Sequence, residues 1–269
     1  MDEIIKIEKV TKDYRIKERN EGLSPFEKAA RFFNPKYIYS SGLKNLDLTV
    51  NKGDFVGLIG ENGAGKTTAI KLMTGILTPT KGKVKALGLD PNRERKRYTS
   101  HIGVVMGQKS LLWYNIPVME SLKLYKEIYK VSDKDFEARI DFYKKIFNAE
   151  EILNKAVRQL SLGQRMRAEL MASLIHKPEI LFLDEPTIGL DVLSKNALHD
   201  HLAKINAEDK TTIILTSHDS NEIEKLCNRI VILKKGTKIK DTTVASLLKE
   251  QNENSLESCL LNLYSEENA

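Results

Sequence analysis

Gly60-Glu61-Asn62-Gly63-Ala64-Gly65-Lys66-Thr67-Thr68 decides how the rest of the chain is read. It fits G-x-x-x-x-G-K-[ST], with the apolar run Phe55-Val56-Gly57-Leu58-Ile59 before it and a helical run, Thr67 to Leu77, after it. Glycines there let backbone N–H groups turn inward around phosphate oxygens, and the first turn of the helix adds favourable partial charge. Asn62, Gly63, Gly65, Lys66, Thr67 and Thr68 are therefore the candidate phosphate-binding residues. Lys66 is placed for the β and γ phosphates and the Thr67 hydroxyl for Mg²⁺.

Outward from this loop, further apolar runs of strand length appear at Ile180-Leu181-Phe182-Leu183, Thr212-Ile213-Ile214-Leu215 and Arg229-Ile230-Val231-Ile232-Leu233. Continuous rather than alternating apolar character marks strands of a parallel sheet covered on both faces. A Lys-Lys-Gly turn after the last run predicts a hairpin into Thr237-Lys238-Ile239. Between about Leu111 and Ile175 the spacing becomes helical, as in Leu122, Tyr125, Ile128 and Tyr129, then Phe136, Ile140, Tyr143, Ile146 and Phe147. The expected core is a doubly wound α/β layer with an inserted helical subdomain.

The run Ile180 to Leu183 delivers Asp184-Glu185 at its carboxyl end, where ligands of open α/β sheets collect. Asp184 suits Mg²⁺ held through water. Glu185, one residue on, suits a general base for water attacking a γ-phosphate, a role worth ~10²–10⁴ in rate. Without the phosphate loop the same pair would read as solvated loop carboxylates.

Composition bounds the alternatives. The chain has 269 residues, 41% hydrophobic and 30% charged, enough for one large domain or two small ones. No stretch approaches the roughly 18 apolar residues of a membrane-spanning helix, and Met1-Asp2-Glu3 lacks the start of a secretion signal, so a cytoplasmic protein is expected. Cys227 and Cys259 read as ordinary reduced thiols. The net charge of +6 and the basic runs 92–97 and 234–240 permit an anionic partner. Without interleaved aromatics, solvated faces or proximity to an anionic membrane explain the runs better than nucleic acid, which is not expected.

A third motif, Leu160-Ser161-Leu162-Gly163-Gln164-Arg165, resembles the LSGGQ signature of ABC (ATP-binding cassette) ATPases and stands upstream of the aspartate strand, as in that family. Gln108 in Val105-Met106-Gly107-Gln108 is similar to the family's Q-loop, Gly189-Leu190-Asp191 to its D-loop, and His218 in Thr216-Ser217-His218-Asp219 to its switch histidine. Tyr14 resembles the aromatic that stacks on adenine. The resemblance implies an α/β fold: a P-loop NTPase core of mainly parallel sheet with helices on both faces, an N-terminal antiparallel β part and an inserted helical subdomain. It implies one domain over 1–269, with core 1–108 and 176–245, a helical subdomain about 109–175, an inserted segment about 15–41 and a tail about 246–269.

The same resemblance implies ATP and Mg²⁺ as cofactors, Gln108 and His218 beside Glu185 in catalysis, and Gln108 with Thr67 and Asp184 at the metal. It also implies a composite site. Two subunits pair head to tail, so ATP on one Lys66 loop is closed by Ser161, Gly163 and Gln164 of the second ATP-binding subunit, with Asp191 nearby; a homodimer is the expected form. Ser161 starting a helix would present its hydroxyl and free N–H groups across that interface, a role compatible with simple capping. Leu162 departs from the usual glycine; it predicts ordinary helical or extended backbone there.

Lys109-Ser110-Leu111-Leu112-Trp113-Tyr114-Asn115-Ile116-Pro117 puts an aromatic patch where family members dock a transmembrane permease subunit; core packing is the competing reading. This loop and the stretch 184–191 look most like the ABC-2 type export group. Ser24 and Glu27 form a capping box with Pro25 at the first helical position, predicting a short helix to Asn34 with Phe26, Ala29, Ala30 and Phe33 on one face. Two other classes compete: a soluble non-transport ABC ATPase and a module that hydrolyses little. One cassette without sustained heptads disfavours the first, and the complete set Lys66, Gln108, Asp184, Glu185 and His218 disfavours the second.

Overall fold

Two long strands open the chain in the computed structural model, which describes residues 2–18, 31, 37–107 and 109–266. β1 (Glu3–Lys17) pairs antiparallel with β2 (Tyr37–Asn51). Bulges interrupt the alternation of β1 along its length. The register shifts between Ile7 and Val10 and again before Lys12, with Lys9 on β1 and Asn45 on β2 both at φ 48°. The predicted helix Ser24 to Asn34 lies outside the described residues apart from Arg31.

β3 (Phe55–Ile59) leads through the glycine-rich loop into α1 (Lys66–Met73), and β4 (Lys81–Ala86) returns to the free edge of β1. α1 stops short of the expected Leu77: Gly75 adopts φ 70°, and a Cβ there would lie 2.3 Å from the Pro91 carbonyl oxygen. α2 (Arg95–Thr99) and β5 (Ile102–Met106) follow. The helical stretch then holds α3 (Val118–Tyr129), α4 (Asp133–Ile146) and α5 (Leu162–Leu174). Phe136, Ile140, Tyr143 and Phe147 are buried as their spacing predicts, whereas Ile128 is exposed.

β6 (Ile180–Asp184), α6 (Val192–Asp209), β7 (Thr212–Thr216), α7 (Ser220–Leu226), β8 (Arg229–Lys234) and β9 (Thr237–Thr243) complete the main sheet. Its order is β5-β6-β7-β3-β8-β9, parallel except for the β8–β9 hairpin. Successive side chains of one strand enter different cores. Phe55, Ile59, Leu181 and Leu183 face the helices α3 to α7, while Val56, Leu58, Ile180 and Phe182 face α1 and the antiparallel sheet. Burial on both faces is why these strands are written as unbroken apolar runs.

α8 (Val244–Gln251) and α9 (Leu256–Glu266) close the described chain. Leu256, Cys259 and Leu260 of α9 are buried, so this tail is a packed element. Both cysteines are free and buried, and burial raises the thiol pKa of each. In the 234–240 basic run Lys234 is itself buried and donates to the Tyr264 carbonyl, so that run is not wholly a solvated face.

Candidate functional site

The carboxyl ends of β3, β5, β6 and β7 converge, as the crevice rule for parallel sheets requires. After β3 the loop turns back on itself at Gly65, whose φ of 107° and close approach to Gly42 leave no room for a side chain. A Cβ would sit 2.7 Å from the Gly42 carbonyl oxygen. Lys66 Nζ donates to the Gly60 carbonyl at 2.6 Å and the Glu61 carbonyl at 3.3 Å, and lies 3.9 Å from Glu185 Oε1. Burial lowers the Lys66 pKa, opposed by Glu185 and Asp184. Around it opens a cleft of 340 Å³ lined by Tyr14, Ser40, Ser41, Gly42, the loop residues Asn62 to Thr68 and Glu185. Tyr14 shares a 3.0 Å hydrogen bond with the Thr68 hydroxyl.

At the end of β6, Asp184 is nearly buried and accepts from two hydroxyls, Thr216 Oγ1 at 2.7 Å and Thr67 Oγ1 at 3.1 Å. Among the described residues no group of three or more His, Cys, Asp or Glu could hold a metal alone. One carboxylate beside one hydroxyl nevertheless fits Mg²⁺, which takes few protein ligands and fills its octahedron with water and phosphate oxygens. Glu185 adopts the left-handed region, φ 55°, and its N–H donates to Thr216 Oγ1 at 3.0 Å. A hydrogen bond of 2.6 Å joins its Oε2 to Nδ1 of the exposed His218. Gly107 approaches the same corner, its N–H donating to the Asp184 carbonyl, while Gln108 lies outside the described residues.

The signature residues stand apart. Ser161 is the N-cap of α5 in a capping box: its Oγ accepts from Gln164 N–H, and Gln164 Oε1 accepts from Ser161 N–H. Leu162 takes the first helical position, as its side chain demands. Gly163 lets α5 abut α6, since a Cβ would lie 2.5 Å from Ser194 Oγ. Asp191 caps α6 by accepting from Ser194 N–H at 2.9 Å, and that contact lowers its carboxyl pKa. None of Ser161, Gly163, Gln164 and Asp191 lines the cleft around Lys66.

Three working residues were not legible in the motifs. Thr216 ties Asp184 and the Glu185 backbone together. Glu169 on α5 accepts from Ser110 Oγ and from Leu111 N–H at 2.7 Å, fastening the segment after Gln108. Glu222 is buried behind the Glu185–His218 pair. Only Glu169 carried a sequence signal, an acidic residue among the apolar positions of Met166 to Leu174, and that does not say what it faces. In the aromatic loop Leu112 is buried, whereas Trp113, whose ring packs on Tyr125 with centroids 5.6 Å apart, and Tyr114 are 43% and 62% exposed.

A parallel sheet with this loop and a carboxylate pair at its carboxyl edge defines a P-loop nucleoside triphosphatase. Within that class the chain belongs to the ABC transporter family, whose model matches residues 43–188. It is similar to the ABC transporter ATP-binding protein NatA of Bacillus subtilis, with 30% identity over 84% of this chain and 92% of that protein. The methionine import ATP-binding protein MetN 2 of Enterococcus faecalis is 34% identical, over 81% of this chain and 64% of that one. The Nod factor export ATP-binding protein I of Rhizobium leguminosarum is also 34% identical, over 78% and 67%. A dimeric post-hydrolysis structure of the ATP-binding cassette MJ0796, bound to ADP and Pi, superposes with TM-score 0.71 at 27% identity, covering 90% of this chain and 99% of that one. The chain is thus an ATP-binding subunit of an ABC transporter and an ATPase, of a kind that dimerises and works with transmembrane components. Relatives named for import and for export both occur.

Proposed function

We propose that this subunit powers an ABC-2 type exporter by ATP-driven closure of a homodimer. The observation that carries the hydrolytic half is the 2.6 Å Glu185–His218 contact, set 3.9 Å from the Lys66 ammonium at the mouth of the phosphate loop. Lys66 would exchange its bonds to the Gly60 and Glu61 carbonyls for β- and γ-phosphate oxygens, a favourable trade for a desolvated ammonium. Thr67 and Asp184 would hold Mg²⁺, which supplies neutralisation of phosphate charge, with Gln108 as a further ligand. Glu185 would orient water and take its proton, and His218 would hold Glu185 and touch the γ-phosphate. Tyr14 would stack on adenine. Ser161, Gly163 and Gln164 of a second copy would close the cleft, with Asp191 at the same seam, their helix start offering the phosphate an electropositive end.

The export reading rests on the likeness of the 184–191 stretch and the 109–117 loop to that group, with the Nod factor export relative as support. A transmembrane permease would dock on exposed Trp113 and Tyr114 and on the neighbouring 150 Å³ groove lined by Ile76, Leu111, Tyr125 and Tyr129, holding the subunit at the cytoplasmic face of the membrane. Glu185→Gln should bind ATP, form a stable dimer and lose turnover by ~10²-fold or more; undiminished hydrolysis would remove Glu185 as the base. Purified with its membrane partner in vesicles, the complex should move substrate away from the ATP side. Movement toward it would make this an importer and remove the export reading.

A further inference from the structure

Behind the Glu185–His218 pair lies a carboxylate that the hydrolytic scheme does not use. Glu222, on the first turn of α7, is 2% exposed. Its Oε2 accepts from Thr187 Oγ1 at 2.9 Å and from Ser217 Oγ at 2.6 Å, and its Oε1 meets His199 Nε2 at 3.2 Å. Thr187 is two residues past Glu185, and Ser217 immediately precedes His218. The two loops that carry the pair are therefore joined twice: on the cleft side through the pair's own hydrogen bond, and on the buried side through one shared carboxylate oxygen. His199 on α6 extends the link to the helix that Asp191 caps.

We infer that Glu222 is a positioning residue that fixes the distance between the loop carrying Glu185 and the loop carrying His218. Chemistry favours a carboxylate over an amide here. An ionised oxygen accepts two hydroxyl protons at once, and such charge-assisted bonds are about twice as strong as neutral ones. An amide oxygen accepts the same two protons only through weaker, neutral bonds, and its NH2 would face His199 where the second carboxylate oxygen now sits. The need for such a brace is visible at Glu185, which sits in the left-handed region and would otherwise relax away from His218. Ser217 Oγ is held in turn by accepting from Asp219 N–H at 3.0 Å, so the brace reaches the N-cap of α7. This inference rests on Glu185 and His218 being the hydrolytic pair.

The two hydroxyl legs act in series, which gives the test its form. Thr187→Val and Ser217→Ala each cut one leg with little change in volume. Each should lower kcat about 3–10-fold, with KM for ATP and nucleotide affinity within about two-fold, since misplacing a base by a fraction of an ångström costs rate rather than binding. The double variant should lose no more than the worse single, because a link in series is already broken by either cut. Losses that multiply in the double, a rise in KM matching the fall in kcat, or full kcat in either folded single would overturn the inference. Glu222→Gln, which keeps one acceptor oxygen in place, should fall between wild type and the double variant. Glu185→Gln, run beside them, separates the two claims: if it still hydrolyses ATP the hydrolytic assignment fails, whereas if it is dead and the leg variants keep full kcat, only the brace fails.

Discussion

Glu185 holds a left-handed backbone that costs a non-glycine residue on the order of 1 kcal/mol or more, and the site maintains it by two contacts to Thr216. The motif spacing proposed Lys66, Thr67, Asp184, Glu185 and His218, each at a fixed step from a strand end, and the fold brings these five together. That spacing could not identify Glu169 or Glu222, whose partners arrive from segments dozens of residues away. Two histidines make a residue-scale prediction about pH. His176, stacked on Tyr129 with centroids 3.8 Å apart, and His201, edge-on to Phe147, are both pushed down to about 4, chiefly by burial. The folded pKa lies below the unfolded value, so the unfolded chain binds more protons between them. Their contribution is therefore complete above pH 6.5 and is lost as pH falls toward 4, by about 1 kcal/mol per pH unit for each group. Urea midpoints should drop steeply from pH 7 to pH 5. His176→Phe, which preserves the stack, should flatten that limb; an unchanged acid dependence in both His176→Phe and a matching His201 variant would contradict it.

Among the elements, α5 does two jobs from one sequence. Its first residue pair, Ser161 and Gln164, closes a capping box at the exposed end, while Glu169, two turns later on the buried side, grips Ser110 and Leu111. The helix itself was legible from its spacing; the grip was not, because periodicity reports a face and not what lies against it. The length of β1 was not legible for a related reason, since the bulge at Lys9 interrupts the alternation from which a strand is recognised. Glu169→Ala removes the acceptor of the half-buried Leu111 N–H and one of two acceptors of the exposed Ser110 hydroxyl, at roughly 1–2 kcal/mol in denaturant unfolding. If the grip also transmits movement of the Gln108 segment to the signature end of α5, stimulation of ATPase by the membrane partner should fall more than basal ATPase. Equal losses would reduce Glu169 to a structural role.

At the scale of the whole molecule, the main sheet separates two cores and the nucleotide cleft opens where its strands end, an arrangement the unbroken apolar runs and the glycine loop together foretold. Residues 246–269 were marked in the sequence only as a tail, whereas α9 buries Leu256, Cys259 and Leu260, and its Leu256 N–H donates to Glu224 on α7 at 2.8 Å. Glu257, Leu260, Leu261 and Tyr264 then wall a 540 Å³ cleft shared with Asn62, Glu185 and His218. Ending the chain at Gln251 removes that wall and three buried side chains, each worth about 1.5–3 kcal/mol of apolar burial. The truncated protein should unfold at clearly lower denaturant, by roughly 4.5–9 kcal/mol in sum. Leu261 is 64% exposed, so Leu261→Ser tests the wall without the anchor. Stability should be unchanged within about 0.5 kcal/mol, and any loss in ATP-dependent dimer formation by the Glu185→Gln background would assign the helix to the closing surface. If Leu261→Ser closes normally and only the truncation fails, α9 serves the fold and not the interface.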